Sequence, residues 1–106
     1  MMNKRDLQIL KEFSAKVREQ FPEAQIWAFG SRARGDAQHD SDLDICIVIE
    51  NLDRSVRKII SYIAWEVGFE HDVLIATVKY SRQQFEESPC VASPLVQSIL
   101  REGITA

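Results

Sequence analysis

Gly30-Ser31-Arg32-Ala33-Arg34-Gly35, a polar stretch from Asp36 to Ser41, and then Asp42-Leu43-Asp44-Ile45-Cys46-Ile47-Val48-Ile49 form the segment whose reading decides the fold. From Leu43 to Ile49 the run is β-branched and uninterrupted, the pattern of a strand covered on both faces. Just upstream, Ala24 to Phe29 carries Ile26, Trp27 and Phe29 between Pro22 and Gly30 and reads as a second strand. Between the two, Gly30 to Gly35 is a turn that opens a short helical segment, and Asp36 to Ser41 is a polar loop.

Further out, both flanks read as helices. Leu7, Leu10, Phe13, Val17 and Phe21 recur at three- and four-residue steps, one apolar stripe on a helix from roughly Lys4 to Phe21, and Pro22 ends it. Downstream, Asn51 or Asp53 caps a helix running to about Val67, with Val56, Ile59, Ile60, Ile63 and Val67 as its core stripe. Gly68 sits where a helix commonly stops. A third strand is expected over Asp72 to Val78, then a helical turn near Arg82 to Glu87 and a last helix from about Ser93 to Arg101. The order α-β-turn-β-α-β-α over residues 1–106 predicts one α/β (α+β) domain with a small mixed sheet and helices packed on it.

Composition narrows the function classes. The chain has 106 residues, 45% of them apolar and 27% charged, as in an ordinary globular domain. Net charge is −3, which argues against nucleic acid as the main partner but not against a small anionic ligand held through a metal. No run approaches the roughly 18 apolar residues of a membrane span, and no signal-peptide core is visible. Cys46 and Cys90 show no metal or disulfide spacing, and Cys46 reads as a small core residue. The cytoplasm is the expected location.

Three pieces carry chemistry. Gly30-Ser31 follows a strand directly, where glycine lets the backbone approach a ligand and a helix start favours anions; alone, it is equally a turn glycine and an N-cap serine. Asp42 and Asp44 lie two residues apart at a strand start and so share one face, with Leu43 on the other. Two carboxylates ~4 Å apart repel by roughly 4 kcal/mol at an effective dielectric of 20, which a cation between them relieves. Oxygen-only ligands suit Mg²⁺ or Mn²⁺. The plainer reading is a set of loop and strand-edge acids in water, Asp40 among them. The third piece is Asp72, read as opening the last strand. Strand 43–49, helix 53–67 and strand 72–78 form a βαβ unit, so these strands are parallel and all three aspartates collect at one sheet end. An antiparallel strand 24–29 brings Gly30 and Ser31 there as well. No calcium-binding EF-hand spacing is present.

Gly30-Ser31, ten intervening residues and then Asp42-x-Asp44 is similar to the signature of the DNA polymerase beta-like nucleotidyltransferase superfamily. The fuller pattern, with Arg34-Gly35 and Ser41, resembles its minimal, MNT-type branch, and the likeness extends to the closing Ile-Leu-Arg-Glu-Gly-Ile. The resemblance implies a nucleotidyltransferase fold, with Asp42, Asp44 and Asp72 as catalytic metal ligands, Gly30 and Ser31 on the β- and γ-phosphates, and Arg34, in preference to Arg32, neutralising phosphate charge. His71 departs from the apolar residue usual before the third acid. The implied reaction is transfer of a nucleoside monophosphate from an NTP, AMP from ATP, with Mg²⁺ or Mn²⁺. Resembling proteins pair with a HEPN-domain protein as the antitoxin of a toxin–antitoxin couple, some attaching AMP to it. The alternative is a non-catalytic nucleotide-binding module that neutralises its partner by contact.

Three features stay open. Tyr62, Trp65 and Phe69 fall on the helix face opposite the core stripe, either covered by the C-terminal helix or forming a protein interface. His71 reads as a satisfied strand-edge histidine or as a group orienting Asp72. His39 reads as a loop residue.

Overall fold

The computed structural model describes residues 2–36, 41–87 and 93–106; His39, Asp40 and Cys90 lie outside them. Helix α1 spans Lys4–Gln20, β1 Gln25–Phe29, α2 Gly30–Arg34 and β2 Leu43–Ile49. Then come α3 Arg54–His71, β3 Ile75–Ser81, α4 Arg82–Glu87, α5 Pro94–Glu102 and β4 Ile104–Thr105. The sheet runs β3-β2-β1-β4. As expected, β1 is antiparallel to β2, and β3 is parallel to it.

Strand β2 is central because its sequence offers an apolar side chain to both faces. Leu43, Ile45, Ile47 and Ile49 enter one core with Leu10, Phe13 and Val17 of α1 and Ile60, Ile63 and Val67 of α3. Cys46 and Val48 enter a second core with Phe85 of α4 and Val96 and Ile99 of α5, where Trp27 stacks on Phe85 at 5.3 Å. Burial pushes the Cys46 thiol up to about 12. The asparagine and aspartate caps are local: the side chain of Asn3 accepts from the Asp6 N–H, and Asp53 accepts from Val56 N–H, each at 2.8 Å. Two surface ties fasten α1 to α3, Lys16 Nζ to Glu66 Oε1 at 2.9 Å and His71 Nε2 to Glu12 Oε2 at 2.6 Å.

Three expectations are corrected. Helix α3 does not stop at Gly68 but continues to His71, and β3 begins at Ile75, not Asp72. Asp72 closes the helix in the left-handed conformation (φ 54), and Val73 N–H returns to the Gly68 carbonyl at 2.9 Å. Gly68 is needed for that return, since a Cβ there would lie 2.5 Å from the Val73 carbonyl oxygen. His71 is the last helical residue rather than a strand-edge residue. The short β4, not expected from the sequence, pairs with β1 through Trp27–Thr105 and Ala28–Ile104.

An acid in the left-handed region at a helix C-terminus is unfavourable on both counts. Asp72→Gly is therefore expected to raise unfolding stability by roughly 0.5–1 kcal/mol in urea titration; an unchanged or lower midpoint would show that the aspartate is not strained there.

Candidate nucleotide and metal site

The register of β1 on β2 builds the site. Phe29 stands opposite Asp44, so the next residue, Gly30, meets the Asp44 side chain. Gly30 has φ 78, and a Cβ added to it would lie 2.6 Å from Oδ2 of Asp44. Both facts call for glycine. From Gly30 the chain enters α2 with no side-chain cap at its start, and Gly35, also left-handed, closes the helix.

Asp44 is half-buried and Asp42 exposed. Burial, and then the like charge of Asp42, push the Asp44 carboxyl above its ordinary value. Among the described residues neither acid has an ion pair or a hydrogen bond. A partly dehydrated carboxylate beside a second one, with no cationic neighbour of its own, is the donor set that a hard divalent ion fits. The residues therefore suit Mg²⁺ or Mn²⁺, and the space that a Cβ at position 30 would fill keeps the backbone close to it.

Asp72 is not brought to this pair. Asp44 is level with Ala76 of β3, and Asp72 lies four residues earlier, up to ~13 Å of extended chain away. It also lies on the other side of the sheet. Asp44 points with Cys46 and Val48 toward the α4/α5 layer, whereas Asp72 ends α3 and borders the groove beside Trp65 and Phe69. The physical reason is the extra turn of α3, which consumes residues 68–71 that had been assigned to the connection. On β3 the position beside Asp44 holds Ala76, which offers no ligand.

The two arginines stand in different surroundings. The Arg32 side chain is 10% exposed, its NH1 2.9 Å from Oδ1 of Asp6 and its Nε donating to the Ser41 carbonyl at 2.7 Å. It thus clamps α2 to α1 and to the chain entering β2. Sequence held a signal for this: Asp6 precedes Leu10 by four and Phe13 by seven, which places a carboxylate on the apolar stripe of α1. Asp6 is 2% exposed. Arg34 is half-exposed, 3.3 Å from Asp36 and 3.8 Å from Glu102, at the surface of α2. A second group of ligand-type side chains, Glu12, Glu70 and His71, has its atoms within 4.8 Å of one another at the α1/α3 junction. There the His71 hydrogen bond holds Glu12 below the usual carboxylate range, and the group serves as a helix–helix tie.

Comparison with known proteins identifies the family. The family described as Nucleotidyltransferase domain matches residues 10–104, and the chain belongs to it. It is 30% identical over 80 residues to a candidate protein adenylyltransferase of Methanocaldococcus jannaschii, spanning 72% of this chain and 80% of that one. The fold is similar to the crystal structure of a candidate nucleotidyltransferase from Sulfolobus solfataricus, with TM-score 0.61, 21% identity and coverage of 95% and 78%. It is also similar to a structure of a tri-AMPylated Shewanella oneidensis HEPN toxin in complex with MNT antitoxin, with TM-score 0.58, 18% identity and coverage of 94% and 70%. The chain is a nucleotidyltransferase with the mixed α/β fold of minimal members. No helix among the described residues is long and apolar enough to cross a membrane.

Removing one partner of the buried Asp6–Arg32 pair strands the other charge. Asp6→Ala is expected to cost about 3–5 kcal/mol in chemical denaturation, with Asp6→Leu plus Arg32→Met recovering most of it. At Asp44 the sign is opposite. Its folded-state pKa lies above the unfolded value, so its ionisation opposes folding as pH rises through and beyond about 4. Without divalent metal, Asp44→Asn should melt higher than the parent, by a margin that grows with pH. Added Mg²⁺ should raise the parent's Tm and leave the variant's where it was.

Proposed function

We propose that this chain transfers AMP from ATP to a hydroxyl of a HEPN-domain partner, as the antitoxin of a toxin–antitoxin pair. The observation that carries the reading is the contact of Gly30 with the Asp44 carboxyl, which sets two acids and a phosphate-sized bend at one sheet end. The adenylyl group and the HEPN acceptor are supported by the likeness to the candidate protein adenylyltransferase and to the MNT antitoxin bound to an AMPylated HEPN toxin.

In this reading Asp42 and Asp44 are the metal-holding and catalytic acids, with Asp44 at the floor of the site and Asp42 at its exposed mouth. Bound Mg²⁺ or Mn²⁺ would supply the positive charge that offsets the two carboxylates and the triphosphate. The N–H groups at the start of α2, from Gly30 and Ser31, face the β- and γ-phosphates, and the Ser31 hydroxyl adds a further donor. Arg34, already at the rim of α2, leans on the phosphate tail and competes there with Asp36 and Glu102. Arg32 has a positioning role, because its clamp on Ser41 fixes where β2 begins and so where Asp42 stands. The acceptor hydroxyl releases its proton to solvent at the exposed mouth of the site, its oxygen bonds to the α-phosphorus, the bond from that phosphorus to the bridging oxygen breaks, and pyrophosphate leaves. Asp72 is left out of this machinery.

Ala76 beside Asp44 is the observation that favours the second reading, a module that neutralises by contact, because β3 then supplies no acid to take the hydroxyl proton. The experiment is incubation of the purified chain with labelled ATP, GTP, CTP or UTP, Mg²⁺ and a HEPN protein. Label is expected to pass from ATP to the HEPN protein. Asp42→Asn and Asp44→Asn should each slow this at least ~100-fold, the loss of a few kcal/mol of charge stabilisation, while Asp72→Asn retains it. Neutralisation of the partner that survives both substitutions at the pair would establish contact as the mechanism.

A further inference from the structure

The outer face of α3 has no cover within the chain. Tyr62, Trp65 and Phe69 are 61%, 62% and 75% exposed, and α5, which sequence offered as their lid, packs on the opposite face of the sheet. The rings run in series, Tyr62 to Trp65 at 6.1 Å and Trp65 to Phe69 at 5.5 Å. Leu74, 67% exposed, continues the strip toward the edge strand β3. Beside the strip runs a groove of about 720 Å³, bordered by Ala64, Gly68, Val73, Ile75 and Thr77. Aromatic side chains carry 150–250 Å² each, so the three rings alone expose roughly 400 Å². That is the size of the largest apolar patch on a typical monomer, often a functional one, and about half of one side of a standard interface.

Charge along the helix identifies the occupant. On the strip itself Arg54 and Lys58 are exposed at the start of α3 and Asp72 is exposed at its far end, while Glu66 and Glu70 face α1, where Glu66 pairs with Lys16. A partner of one sign would suit half the strip and be repelled by the other half. A copy of the same helix laid antiparallel suits both halves. Lys58 lies seven residues before Trp65 on the same stripe, Tyr62 and Phe69 lie three and four residues to either side, and the cap residue Asp72, seven residues after Trp65, borders the groove beside the rings. A two-fold axis at Trp65 therefore sets Lys58 against Asp72 of the second copy, Tyr62 against Phe69, and Trp65 against itself. A parallel arrangement would bring like charges together.

We propose that α3 is a self-association surface, two chains pairing antiparallel through Tyr62, Trp65 and Phe69 with Lys58–Asp72 pairs at each end. The arrangement is isologous and closes at two copies. It leaves the Gly30–Asp44 end of the sheet open, so it does not depend on the function proposed for that site.

Sedimentation equilibrium of the full chain at micromolar concentrations tests it. The parent should show twice the mass of the 12.2 kDa chain. Lys58→Glu sets two acid–acid contacts in each dimer and should weaken association at least about tenfold. Lys58→Glu with Asp72→Lys should restore it, because the two charges have exchanged places. Trp65→Ser should give a monomer with unchanged circular dichroism, since within the chain the ring stacks only on the exposed rings of Tyr62 and Phe69. A parent that stays monomeric, or a Lys58→Glu variant that associates as the parent does, overturns the proposal; so does failure of the double exchange to rescue. A monomeric parent that binds a HEPN protein in a Trp65-dependent way overturns it too, and assigns the face to that partner.

Discussion

Burial of β2 on both faces is the constraint on which the rest of the molecule depends. A strand with isoleucine on one side and cysteine and valine on the other needs two layers, and the chain supplies α1 and α3 for one and α4 and α5 for the other. Polar groups fit such a strand only at its ends. Asp44 occupies the first place on the α4/α5 side where the cover gives out, so it stays half-buried and keeps its charge at a cost. The antiparallel neighbour β1 then determines what faces it. Because Phe29 is its register partner, the turn after β1 passes over the carboxyl, and only glycine leaves room.

Two strand ends thus meet at Gly30 and Asp44, and the helices hold that meeting point from outside. The buried Asp6–Arg32 pair is the main device. One guanidinium reaches the first turn of α1 and the carbonyl just before Asp42, tying together three segments distant in sequence. The ties between α1 and α3 lie at the surface and contribute little each, but they join the two helices of that layer.

What could be read in advance followed local rules. The strand 43–49, the glycine after β1, the facing of Asp42 with Asp44 and the helix caps each depend on a few adjacent residues. What could not be read depended on where the chain goes after leaving an element. Gly68 has the residue type of a helix end and yet serves as a thin spot under a returning backbone; only the close approach of Val73 reveals this. That displaced turn moved Asp72 from a strand to a helix cap and took it across the sheet. The role of Arg32 stayed open because its partner, Asp6, is 26 residues away, although the place of Asp6 on an apolar stripe was visible. The strand β4 is two residues long, too short for any periodicity.

Cys46 lies in the middle of β2, sealed beneath Phe85, Val96 and Ile99. With its thiol pushed up to about 12, it holds almost no thiolate at neutral pH and is inert to alkylating reagents while the layer is closed. It reacts only when α4 and α5 lift from the sheet. Its modification rate, followed peptide by peptide, therefore serves as an internal clock for the opening of that layer, independent of unfolding on the α1/α3 side.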